Sequence, residues 1–359
     1  MYKNIEVIDC HIHNSYNLNI DFLESFLKDT YIDKVNLLAC MSTKCLSLAP
    51  KALRMKAKYP DKFTVFVCPD ISGYYLNKDN LGEYQKEYID KLLKAGADGI
   101  KLLEGKPQMR KMFPIPDFDD IVWEPFWEYL ESNHVPIIFH VNDPEEFWNK
   151  SIAPDFAIRE GWLYDESFIN NEAQYIQVLN VLEKHPELRI CFPHFFFMSR
   201  HLDRLSNILD TYKNVKVDLT PGIEMYENFS NNYDASLEFF NKYHDRIMFG
   251  TDIGGRCVLG KGENRPFDVI ENLRRPEIVL DFLSSDETLN ISSDGHYIID
   301  RPTFKMRGLN LKDEILEEIL NLNFNNFIMM KNRVDLSLVE KEELYEKERY
   351  SILKKKGLI

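Results

Sequence analysis

Four short segments of the chain carry imidazoles and a carboxylate that could act together. They are Asp9-Cys10-His11-Ile12-His13, Ile137-Ile138-Phe139-His140, Cys191-Phe192-Pro193-His194 and Phe249-Gly250-Thr251-Asp252. A fifth, Gly99-Ile100-Lys101-Leu102, adds an amine. Neutral imidazole and carboxylate are ligands for Zn²⁺ and related first-row metals. Three or four such ligands leave a position for water, and coordination brings that water's pKa toward neutrality. Asp252 could also take the water's proton as a general base. Each residue alone has a plainer use. The histidines could be packed and hydrogen-bonded in a core, Asp252 could cap a helix or turn, and Lys101 could pair with Glu104. The combination carries the weight: four of the nine histidines end apolar runs, while His134, His185, His201, His244 and His296 fall in helical or loop stretches.

Such residues need a scaffold that gathers them. Eight β-branched and aromatic runs read as strands: Ile5–Cys10, Lys34–Cys40, Phe63–Cys68, Ala97–Leu103, Val135–His140, Arg189–His194, Val215–Leu219 and Arg246–Thr251. Helical patterns lie between them, such as Tyr84, Tyr88 and Leu92 before Gly96. Strand and helix in alternation imply a parallel sheet with helical crossovers, and eight repeats favour an α/β fold of the closed (β/α)8 TIM barrel type. An open α/β sheet is the rival, but no Gly-rich phosphate loop follows the first strand. In a parallel barrel all strand C-termini open on one face, so the five segments converge there. Alternation sets His11 and His13 on one side and turns Lys101 into the barrel.

The chain has 359 residues, more than one barrel of about 250 needs. Three stretches leave the rhythm: a long loop after strand 5 (141–171), another after strand 8 (253–312) and a charged C-terminal tail (335–359). We therefore expect one barrel domain over 1–334, with 253–312 inserted over the active-site face. The tail 335–359 should be a solvated helix. The net charge of −14 argues against nucleic acid or an anionic membrane as the main partner. No apolar run is long enough to span a bilayer, and the first residues lack the basic and apolar regions of a signal peptide. The six cysteines form no CxxC pair and read as reduced, buried thiols of a cytoplasmic protein.

The order of these motifs resembles the amidohydrolase superfamily, and the local contexts resemble its amidohydrolase-related branch, which includes aminocarboxymuconate semialdehyde decarboxylase. The carrying segments are Val7–His13, Ala97–Leu102, Met248–Asp252 and Asn321–Phe324. The resemblance implies a metal held by His11, His13, His140 and Asp252, with His194 as a further ligand or as the group that orients water or substrate. It implies catalytic roles for Asp252 and His194. It also implies one divalent ion, zinc before manganese, with a binuclear site if Lys101 is carbamylated, and a homo-oligomer, often a dimer. Two departures bear on substrate: Phe195-Phe196-Phe197 makes the rim after strand 6 apolar, and Lys101-Leu102-Leu103-Glu104 replaces the usual end of strand 4.

The loops suggest the rest. Arg256, four residues past Asp252, could pair with a substrate carboxylate, whereas Arg274 and Arg275 read as surface residues. Glu104 and Glu224 offer polar contacts, and Trp148, Trp162 and Phe195 could wall an apolar part of a small-molecule substrate. The leading function is hydrolysis of an amide, ester or lactone by metal-activated water. The alternatives are non-oxidative decarboxylation of an unsaturated or aromatic acid, and a non-catalytic metal- or ligand-binding barrel.

Overall fold

The computed structural model describes residues 4–15, 18–41, 45–222, 224–255, 269–292, 303–329 and 331–359. Eight parallel strands follow in chain order, each paired to the next: β1 (Ile8–His13), β2 (Lys34–Ala39), β3 (Phe63–Val67), β4 (Gly99–Gly105), β5 (Ile137–Val141), β6 (Ile190–Phe192), β7 (Val215–Asp218) and β8 (Ile247–Met248). All eight coincide with or overlap the expected runs, but β1, β4 and β5 start and end later. Pairing of Ile12 with Leu37 and of His13 with Leu38 keeps both histidines inside the strand. Every residue of β1, β3, β4 and β5 is buried, which explains their near-continuous apolar runs.

The last and first strands close the barrel. Cys10 N–H donates to Phe249 O at 3.0 Å, Asp252 N–H to His11 O at 2.9 Å and His13 N–H to Ile253 O at 2.8 Å. Asp9 bolts this seam: Oδ1 accepts the His11 N–H at 2.9 Å and the Thr251 N–H at 3.2 Å, and Oδ2 accepts the Thr251 hydroxyl. Closure therefore brings His11, His13 and Asp252 side by side from opposite ends of the sequence.

The helices cover the outside. In Leu81–Lys94, Leu81, Gln85, Tyr88, Ile89 and Leu92 form one buried stripe, and each apolar side chain so buried contributes roughly 1.5–3 kcal/mol. Gly96 ends it with φ at +116°, and a Cβ there would lie 2.6 Å from Val334 Cα. The floor of the barrel holds a buried ion pair. Lys56 Nζ, from the helix Ala49–Lys58, lies 2.7 Å from both Asp98 oxygens and 2.8 Å from Gly96 O.

The three extra stretches build distinct pieces. The loop after β5 wraps a satellite core of Phe147, Ala157 and Tyr164, flanked by Trp148, Trp162 and Phe168. After β8 come the helix Val269–Ser284 and an antiparallel hairpin, β9 (Thr288–Ser292) and β10 (Thr303–Arg307). The tail forms the helix Leu336–Lys355, as expected, but it is not simply solvated. Val339 and Leu353 are fully buried, and Arg54, on the helix Ala49–Lys58, pairs with Glu343 at 2.8 Å. Charge density concealed this because two of the residues buried on docking, Glu342 and Glu346, are themselves acidic.

Candidate metal centre

His11 is oriented by a residue the sequence reading passed over. Its Nδ1–H donates to Asp218 Oδ2 at 2.8 Å, at the end of β7, where both groups are fully buried. Asp218 Oδ1 also accepts the His194 N–H at 3.0 Å and the Thr220 N–H at 3.1 Å. A carboxylate acceptor fixes the proton on Nδ1, so the Nε2 lone pair of His11 faces the barrel mouth. There it lies 3.6 Å from Asp252 Oδ1, and His13 Nε2 lies 3.1 Å from the same oxygen. The ligand atoms of His11, His13 and Asp252 all fall within 4.8 Å of one another.

The other expected residues gather around this triad. The His194 ring centre is 5.8 Å from that of His11 and 5.2 Å from that of His140. His194 Nδ1 faces Thr220 O at 3.3 Å, which leaves its Nε2 as the lone-pair nitrogen. His140 Nε2 makes no hydrogen bond among the described residues, and Asp143 Oδ1 lies 3.5 Å away. Asp143 is itself held by Lys106 at 2.7 Å and by the Tyr164 hydroxyl, so the loop after β5 is clamped beside His140. Lys101 Nζ points at His11 Nε2 from 3.2 Å. His194 and Asp252 sit at φ of 55° and 57°, a left-handed backbone that costs roughly 1–2 kcal/mol per residue and is concentrated here at the site.

Burial and neighbours set the charges. Burial pushes His140 down to about 4 and holds His11 and His194 well below the usual imidazole range, so all three are neutral near pH 7. For Asp252, burial favours the neutral form, but the His13 hydrogen bond and the charges of His13 and Arg275 outweigh it, so the carboxyl ionises well below its ordinary range. Burial likewise opposes charge on His13, yet its contacts with Asp252 and Cys40 raise it.

This donor set suits a divalent first-row cation. A tetrahedral ion with ligands at about 2.0–2.1 Å has ligand–ligand edges of about 3.3 Å, and the 3.1 and 3.6 Å separations bracket that value. His140, buried and with no hydrogen bond to Nε2 among the described residues, is not part of that triad and has Asp143 Oδ1 as its neighbour at 3.5 Å.

A family profile described as Amidohydrolase matches residues 77–323, more than half of the chain. The chain belongs to the amidohydrolase family. It is thus a member of the metal-dependent TIM-barrel enzymes that its motifs resemble. No curated protein matches this amidohydrolase by sequence. Several solved structures share its fold. An uncharacterised TIM-barrel protein from Bordetella bronchiseptica is 13% identical, with 90% of this chain and 99% of that one covered and a TM-score of 0.56. The 2,6-dihydroxybenzoate decarboxylase from Rhizobium is 13% identical, with 90% and 99% covered and a TM-score of 0.52. A dihydroxybenzoic acid decarboxylase from Polaromonas, with bound manganese and 2-nitroresorcinol, is 14% identical, with 90% and 97% covered and a TM-score of 0.52.

Some expectations about the amidohydrolase's loops change. Phe195 does not wall the mouth: it is fully buried against Phe229, Phe239 and Phe240, because the left-handed turn at His194–Phe197 rotates it outward into the helices. Phe197 is the ring that stacks on His194, at 5.0 Å. Trp148 packs edge-on to Tyr164 and bonds Ile169 O, within the satellite core. Glu104 lies buried beneath the mouth, with Oε1 accepting the Tyr74 hydroxyl at 2.9 Å and Oε2 without a hydrogen bond among the described residues. The Glu224 Oε2 is likewise buried and unbonded among the described residues. Arg256 lies outside the described residues, as does Cys257. Arg274 is on the surface, paired with Glu277, but Arg275 is buried and reaches Asp252 Oδ2 at 3.4 Å. Asp218 carried one usable signal: it ends the alternating Val215-Lys216-Val217 run just as His140 ends its own.

Proposed function

We propose that this amidohydrolase hydrolyses a small amide, ester or lactone, with one zinc ion held by His11, His13 and Asp252. The convergence of those three ligand atoms, with His11 locked by Asp218 to present Nε2, is the observation that supports the reading most. A bound divalent ion supplies a nucleophilic water at neutral pH and polarises the carbonyl. The protein's part is positional and electrostatic. Neutral His194, anchored through Nδ1, offers Nε2 as an acceptor for the water's proton or as a further ligand. Neutral His140 adds a second imidazole on the same side. Asp252, ionised at rest, would take a proton from the attacking water and hand it to the leaving group, returning to the carboxylate. A carboxylate on the substrate would be met by Arg256.

Non-oxidative decarboxylation is the second reading. It needs a group that keeps a proton near neutrality to replace the departing CO₂. Burial pushes the Glu104 carboxyl up to about 7, and two proteins of the same fold are named as dihydroxybenzoate decarboxylases. The test pits an amide, ester and lactone panel against CO₂ release from aromatic and muconate-like acids. Turnover of the first panel, abolished by His11→Ala and Asp252→Ala, supports hydrolysis. CO₂ release with no hydrolysis replaces it by the second reading.

A further inference from the structure

We infer that Arg275 is a positioning residue that fixes the Asp252 carboxylate for the metal and so couples the inserted helix Val269–Ser284 to the centre. The inference rests on the metal-site reading above. Arg275 is only 1% exposed, whereas neighbouring Arg274 pairs with Glu277 on the surface of the same helix. Its Nη1 donates to Thr251 O at 3.1 Å and to Asp252 Oδ2 at 3.4 Å. The two carboxylate oxygens are thereby divided. Oδ2 faces the guanidinium, and Oδ1 faces His13 and His11.

A Cβ on Gly255 would lie 2.4 Å from Oδ1 and 2.5 Å from Oδ2, so the carboxylate already packs against this residue and only glycine admits it. Without Arg275, Oδ2 loses its guanidinium donor, and the carboxylate is no longer held with Oδ1 toward the histidines. One turn before Arg275 on the same helix, Asn272 Oδ1 accepts the Gly254 N–H at 3.1 Å, so the helix grips the end of β8 at two points. A buried guanidinium is costly unless paired. Asp252 supplies a counter-charge here, so the pairing points to a task at that carboxylate.

The test is calorimetric titration of the metal-free, full-length protein with ZnCl₂, alongside thermal unfolding. Wild type should bind one equivalent. Arg275→Met should bind zinc about 10–100-fold more weakly, the usual cost of losing a group that orients a ligand. A merely structural arginine would instead lower the unfolding temperature of Arg275→Met and leave its zinc affinity unchanged, which overturns the inference. If Arg275→Met does not fold, Arg275→Lys decides: weakening of at least about threefold supports it, and wild-type affinity overturns it. Failure of wild type to bind zinc overturns the metal reading itself, and this inference falls with it.

Discussion

Two buried lysines sit at opposite ends of the barrel, and their surroundings differ in kind. Lys56, at the floor, has both oxygens of Asp98 at 2.7 Å and a backbone carbonyl at 2.8 Å. Asp98 in turn accepts the Val65 N–H at 2.9 Å and the Asn332 N–H at 2.8 Å. Lys101, at the mouth, has one hydrogen-bond partner among the described residues, the lone pair of His11 Nε2 at 3.2 Å. At the floor each charge is answered by a neighbouring group of the chain, as a buried charge must be if it is to hold a fold together. At the mouth the polar atoms of five strands are turned toward one another's centre. That arrangement serves a guest, and stability has to come from elsewhere.

The contrast is sharpest in the response to losing each lysine. Lys56→Met leaves Asp98 buried without its cation and should cost about 3–5 kcal/mol in denaturant unfolding, with zinc affinity unchanged. Lys101→Met in the metal-free protein should cost little or nothing by the same measure. Equal losses for the two would erase the distinction. Asp218→Asn keeps the shape at β7 but weakens the acceptor that orients His11, and zinc affinity should fall about 10–100-fold with the fold intact. A pH slope completes the comparison. Burial raises the Glu104 carboxyl to about 7. A raised carboxyl contributes stability below its unfolded value, near 4.5, and loses it as pH rises through about 7. Metal-free wild type should therefore lose up to about 1.4 kcal/mol per pH unit more than Glu104→Gln across that window. Parallel pH profiles would remove Glu104 as a protonated group.

The barrel was legible because its strands are buried on both faces and announce themselves as apolar runs. The polar residue ending each run marked the mouth: His140 and Asp252 stand out against Ile137-Ile138-Phe139 and Met248-Phe249-Gly250. Asp218 ends a run in the same way, yet a lone carboxylate has too many ordinary uses to be singled out. Arg275 was beyond reach. It comes to Asp252 from a helix 23 residues on, and neighbouring Arg274 has the same local sequence character but lies on the surface. The direction of Phe195 and the docking of the tail helix, itself expected, were hidden in the sequence. A left-handed turn reverses where Phe195 points, and the tail helix buries Glu342 and Glu346 beside Val339 and Leu353, so its docked face does not read as apolar.

Metal content tests the account most directly. The full-length protein, purified after expression in zinc-supplemented medium, should carry about one equivalent of a divalent first-row ion, and an absorption-edge map should place it between His11, His13 and Asp252. Less than about a tenth of an equivalent of any such metal, or an ion located elsewhere, would contradict it.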